Sequence, residues 1–295
     1  MASNNPVFAR SAEFKSGGYA TFDTRPGGQP GAQQTYADPR YGQAPQTAVG
    51  QPQSGQTYTP EQLEELYAQP AAGAAQMGRM TYDDVVIRTG MLFGILVATS
   101  VVGWMAPALM LPGALIGLVL GLVNSFKKSP SPALIIAYAA FEGLFIGGIS
   151  NFFNNQWPGI VAQAVMATFA VFAVALYAFK SGRIRVTAKS TKIFMIALGG
   201  YLLFSLANVA LSFFVSSGST FGPLRPDGPM GFLIGVFAVG LAAYSLVMDF
   251  DFIQRGVQRG LPEKFAWFGA FGLIVTLVWL YVEMLRLIAI LRGND

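Results

Sequence analysis

The 295-residue chain contains no histidine and no cysteine. Without histidine there is no Ser-His-Asp or Cys-His nucleophile and no histidine-based zinc site. Without cysteine there is no disulfide and no thiolate chemistry. No nucleophile–base constellation or cofactor motif takes their place, so neither an enzyme nor a bound cofactor is expected. Charge is scarce too. Charged residues make up 12% of the chain and hydrophobic ones 53%, whereas soluble chains run to about 25% charged. That balance, spread over several long apolar blocks, predicts a membrane protein. The net charge of +4 does not point to nucleic acid, because the basic residues fall in short loops between apolar blocks and act as topology signals. The first 80 residues also lack any apolar run, so no cleavable signal peptide is visible and the first spanning helix is expected to serve as the anchor.

What is present divides into two regions. Residues 1–82 are rich in Gly, Gln, Pro, Ser, Ala and Tyr and poor in branched apolar residues. Such a segment buries too little apolar surface to offset chain entropy and is expected to be a disordered tail. One island, Thr59-Pro60-Glu61-Gln62-Leu63-Glu64-Glu65-Leu66-Tyr67, has helix-start signals: Thr59 as cap, Pro60 at the first position, Gln62 closing a capping box. It reads either as a transient helix or as a docking site for a partner protein. Its three glutamates argue against binding anionic lipid.

From Thr81 onward seven apolar spans appear, each near the ~20 residues a bilayer requires. They cover about 87–107, 109–126, 132–153, 158–179, 193–215, 231–253 and 266–290. The fold expected for 83–295 is therefore an all-α, polytopic bundle of seven transmembrane helices. Thr81-Tyr82-Asp83-Asp84 supplies capping residues before the first span, and Arg88 near its start is placed to snorkel to the headgroups. No internal repeat supports an inverted-repeat transporter. Basic residues alternate sides. Lys127 and Lys128 follow span two, Lys180, Arg183, Arg185, Lys189 and Lys192 separate spans four and five, and Arg255, Arg259 and Lys264 separate six and seven. In the opposite loops Arg225 is balanced by Asp227. The positive-inside rule then puts the tail in the cytoplasm and the C-terminus outside.

Four carboxylates, Glu142, Asp249, Asp251 and Glu283, lie in or at the ends of these spans. A charge near the bilayer centre costs roughly 2.5–3.5 kcal/mol on insertion scales. Such groups persist when they face the bundle interior, share a proton or line an ion path. Asp249 and Asp251, two apart on a helix, point in different directions, one inward and one to the headgroups. Glu283 sits well inside span seven, with Arg286 three residues on and within same-face reach. Two readings stay open. Glu283 and Arg286 neutralise each other, or Glu283 faces an acid on span six and the two share a proton. A close acidic pair would offer hard oxygen ligands to Ca²⁺, Mg²⁺ or H⁺. Glu142, beside Gly143 and near Gly147 and Ser150, is either an interior acid hydrogen-bonded at a tight helix crossing or a second acid along the path. Asn208 in span five suits either role.

The set Met80-Thr81-Tyr82-Asp83-Asp84-Val85-Val86, Phe141-Glu142-Gly143-Leu144-Phe145-Ile146-Gly147, Asp249-Phe250-Asp251 and Phe271 through Glu283 resembles the Bax inhibitor-1 family, in its bacterial branch with a long N-terminal tail. The resemblance covers about residues 80–295. It implies a multi-pass protein of the bacterial inner membrane that leaks Ca²⁺ passively, gated by a proton-sharing acid pair. By that likeness Asp249 and Glu283 are the sensor and the metal-facing acids, and Lys128 or its neighbour Lys127 is a latch to the sixth-helix acid; Asp251 and Glu142, acids that calcium-leak members need not have, are expected to be supporting acids. The seventh-helix acid is Glu where the family has Asp, and the stretch between the two acids is longer. The extra residues, around Gly256 to Gly269, are expected to form an interfacial segment. If span seven began at Lys264, Glu283 would lie ~28 Å along it, so the pairing requires a later start or a longer span six. The expected partners are the lipid bilayer, Ca²⁺ and H⁺. Two rival functions use the same features: a regulator that binds a membrane protease or stress factor through the tail, and a proton-coupled cation antiporter.

Overall fold

A computed structural model describes residues 59, 73–74, 77–215 and 221–293. Thr59 apart, these belong to one compact unit, Gln69–Asp295. The island from Thr59 to Tyr67 lies outside the described residues beyond its first member.

Seven helices follow one another: α1 (Tyr82–Met105), α2 (Met110–Phe126), α3 (Pro132–Gln156), α4 (Ile160–Lys180), α5 (Ala188–Ser212), α6 (Pro229–Gln258) and α7 (Ala266–Arg292). Each is long and apolar enough to cross a membrane, and no strand occurs among the described residues. The chain is an all-α, multi-pass membrane protein. α1 starts five residues earlier than its apolar pattern, because Thr81 Oγ1 accepts from the Asp84 backbone (3.1 Å) while Asp84 Oδ2 accepts from the Thr81 backbone (2.9 Å). This reciprocal cap satisfies two otherwise orphaned donors.

The segment expected at the interface around 256–269 is helical over most of its length. α6 continues to Gln258, Gly260 turns the chain at φ 62°, a single 3₁₀ turn covers Glu263–Phe265, and α7 begins at Ala266. Helices of 30 and 27 residues measure about 45 and 40 Å, against a hydrocarbon core of ~30 Å. The added residues lengthen helices past the core, which keeps their backbone groups paired.

Ordered packing also begins before residue 83. The Met80 backbone donates to Leu261 O (2.7 Å), and the Glu263 backbone donates to Gly78 O (2.8 Å). Met80 is fully buried. This strap joins the start of α1 to the α6–α7 corner. Arg88 strengthens it. Its guanidinium donates to Glu263 O (2.6 Å), pairs with the Glu263 carboxylate and lies over the Trp267 ring (5.4 Å). The 127–131, 181–187 and 259–265 connections therefore share one face with the start of α1, called here the basic face.

α7 is the central helix and packs against α1, α3, α4 and α6. α1 crosses α3 closely through small residues. A Cβ on Gly147 would lie 2.0 Å from Ser100 O, and one on Gly143 would lie 2.4 Å from Leu96 O. Backbones approach this near only where side chains are absent. α5 sits at the rim and packs chiefly on α6. Large apolar residues such as Leu118 and Val119 on α2 and Ile196 and Leu203 on α5 stay exposed, as suits helix faces turned to hydrocarbon.

Candidate functional site

The acids of α6 and α7 occupy two separate places. Asp249 lies in the α6–α7 seam, half-buried. Its Oδ2 accepts from Thr276 Oγ1 (2.7 Å), and Ser245 Oγ lies 3.3 Å from the same threonine. Gly272 opposes the carboxylate so closely that a Cβ there would be 2.8 Å from Oδ1. The seam thus presents hydroxyls and a bare backbone to Asp249.

Glu283 lies seven residues beyond Thr276, about 10 Å further along α7. It is 1% exposed. The Tyr201 phenol of α5 donates to its Oε1, Arg286 donates to the same oxygen (3.1 Å), and Arg225 donates to Oε2 (3.3 Å). Arg225 also donates to the Tyr201 oxygen and stands over the Tyr201 and Phe204 rings at 5.3 and 5.8 Å. It comes from the α5–α6 connection, on the face opposite the basic one, and is itself buried. Asn208 holds that connection in place, donating to Phe221 O (2.8 Å) and accepting from the Leu224 backbone (2.8 Å). Burial works against the Arg225 charge. The Glu283 carboxylate and Tyr201 phenol outweigh it, so its pKa stands above the ordinary guanidinium value.

Asp249 and Glu283 therefore do not meet, and they form neither a proton-sharing pair nor a joint metal site. The reason is the early start of α7. Glu283 stands roughly 26 Å along its helix from the basic-face end, while Asp249 stands about 14 Å from that end of α6. Of the two readings for Glu283, the Arg286 bridge is present, enlarged by Tyr201 and Arg225. Among the described residues no group of three or more acids converges on a point.

The remaining predicted residues sit elsewhere. Asp251 points away from Asp249 and pairs with Arg255 (2.9 Å), which also donates to Val186 O (3.3 Å). Lys127 and Lys128 are exposed, and among the described residues no ion pair latches either to Asp249. The Glu142 carboxylate lies against Gly117 of α2, with Oε2 2.6 Å from where a Cβ would stand. The hydrogen bond expected for it at a tight helix crossing is not among those formed by the described residues. Tyr201, Arg225 and Thr276 carry the geometry and went unselected in the sequence. Arg225 had one signal: in the sequence it is the basic residue of loops that are otherwise nearly uncharged.

The family model described as Bax inhibitor 1 like matches residues 5–293. The chain belongs to this family. No curated protein is similar enough to count as a match. In this Bax inhibitor 1-like protein the four acids have four settings, Glu142 lying against Gly117. Glu283 is clamped by two arginines and a tyrosine, Asp251 is paired at the basic face, and Asp249 is held by a hydroxyl with no cation bonded to it among the described residues.

Proposed function

We propose that this Bax inhibitor 1-like membrane protein is a passive, proton-sensitive Ca²⁺ leak in which Asp249 is the group that responds to pH. The observation that carries the reading is the setting of Asp249, a carboxylate inside the α6–α7 seam whose bonded partner is the Thr276 hydroxyl. An ionised carboxylate in this seam, with no cation bonded to it among the described residues, is costly, so the seam is more stable when Asp249 is neutral. On losing its proton the acid draws water or a cation into the seam. Its oxygens, with those of Thr276 and Ser245, are hard donors of the kind Ca²⁺ accepts. Glu283 has a different part in this scheme. Its arginine clamp fixes the far half of α7 while the Asp249 half responds. No catalytic step is involved. By the positive-inside rule the basic face is cytoplasmic, in the inner membrane of a bacterium.

The test is Ca²⁺ flux into liposomes holding the purified protein, across about pH 5 to 9. Flux is expected to rise with pH in the wild type and to lose that dependence in Asp249→Asn. Flux that collapses with the proton gradient would point to an antiporter. Absence of flux at every pH from folded protein would sink the leak and favour a regulator of a membrane protease or stress factor.

A further inference from the structure

A groove of about 630 Å³ opens between α1 and α4, floored by α3 and α7. It falls within the ~300–1,000 Å³ typical of ligand sites. α1 and α4 meet there at the rim through Phe93 and Phe169, an edge-on pair with centroids 6.1 Å apart. Val97, Val101 and Val165 on the two rims are exposed, while Leu96 on α1 and Ile274 and Val278 on the floor are buried. The groove therefore opens sideways, within membrane-spanning segments, toward lipid.

Three observations name the occupant. The first is chemical. Every hydroxyl in the lining is already bonded within the protein: Ser150 Oγ to Tyr281 OH (2.7 Å), Thr168 to Ala164 O (2.7 Å), Ser100 to Val97 O (2.8 Å). Apart from the Trp104 indole at its end, the wall offers hydrocarbon contact and asks for no polar group in return. The second is length. The α1 wall runs from Phe93 to Trp104, about 16 Å of helix, or half of the ~30 Å core and so the depth of one leaflet. The third is position. Phe93 is at the middle of α1 and Trp104 at its end, and on α4 the lining runs from Val161 at the start to Phe169 near the middle. Both walls thus cover the same half of the membrane, the leaflet away from the basic face.

We propose that this groove is a binding site for one acyl chain of a phospholipid in the leaflet opposite the basic face, inserted between α1 and α4 against α7. The site is independent of the leak. Native mass spectrometry of the detergent-purified protein, with dioleoylphosphatidylglycerol added as probe, tests it. The wild type is expected to retain one lipid after loosely held lipid is stripped. Val165→Trp and Val97→Trp fill the groove from opposite rims, and each is expected to weaken retention about tenfold or more. Met166→Trp, on the same helix but 73% exposed and outside the lining, is expected to bind as the wild type does. Circular dichroism and size exclusion check that the variants are folded, and either filler alone suffices if the other fails. The proposal is overturned if the folded filler variants retain lipid as the wild type does, if Met166→Trp loses it equally, or if the wild type retains none.

Discussion

Replacing Arg225 by methionine keeps most of its stem and removes its charge from the Glu283 cluster. The two side chains are 7% and 2% exposed, so the pair is desolvated. Breaking a buried pair from one side costs about 3–5 kcal/mol, because the remaining charge is left uncompensated. Here Arg286 stays 3.1 Å from Glu283 and Tyr201 still donates, which puts the expected cost at or just below the lower end of that range, about 2–3 kcal/mol. At ~2–4 °C per kcal/mol for a domain of this size, the midpoint falls by roughly 5–10 °C. Glu283→Gln alone is destabilising for the converse reason, since Arg225 then lies buried against an amide. The double substitution removes both charges and is expected to cost less than the sum of the singles by about 1–3 kcal/mol. The Arg225 pKa lies above its ordinary value. A raised folded-state pKa means stability that is complete below the unfolded value and lost only as pH climbs through the folded one. The guanidinium half of the pair therefore contributes undiminished through neutral and mildly alkaline pH. Thermal unfolding in detergent micelles, followed by far-UV circular dichroism, measures all four proteins. An Arg225→Met midpoint within about 1 °C of wild type, or strictly additive single effects, would refute the clamp.

The α1–α3 crossing gives a paired prediction. Gly147→Ala puts a Cβ 2.0 Å from a backbone oxygen that cannot step aside, and a loss of about 3 kcal/mol or more is expected in micelle unfolding, with reduced folded yield. Gly199→Ala on α5, where nothing lies within 4 Å, should be neutral or stabilising by up to about 1 kcal/mol. Similar effects from the two would contradict the close crossing. Thr81→Ala removes one half of the reciprocal cap and should cost about 1 kcal/mol. Hydrogen exchange is expected to speed up in the first turn of α1 and stay unchanged in α7.

Some features were readable along the chain because they are local. Seven runs of apolar residues set the number of spans, since a bilayer demands a helix of fixed minimum length wherever it is crossed. Thr81 through Asp84 were readable as capping residues ahead of the first span, although the helix begins five residues before the apolar run, at Tyr82. The Glu283–Arg286 bridge was legible because residues three apart share a helix face, and so was the divergence of Asp249 from Asp251. Gly143 and Gly147 marked a tight crossing, although which helix would lie there was not written in them.

Other features depended on where one helix lies against another. Asp249 and Glu283 are distant in sequence, and their separation turns on the residue at which α7 begins. A shift of a few residues there moves Glu283 by a full turn. The clamp on Glu283 joins α5, the α5–α6 connection and α7, and nothing local relates Tyr201 or Arg225 to residue 283. The groove between α1 and α4 exists because those helices diverge while α3 and α7 stay packed behind them. Periodicity and composition thus determined what crosses the membrane and which groups are costly inside it. Only the tertiary arrangement decided which charges are compensated, which are not, and where hydrocarbon can enter, because these depend on contacts that sequence spacing does not encode.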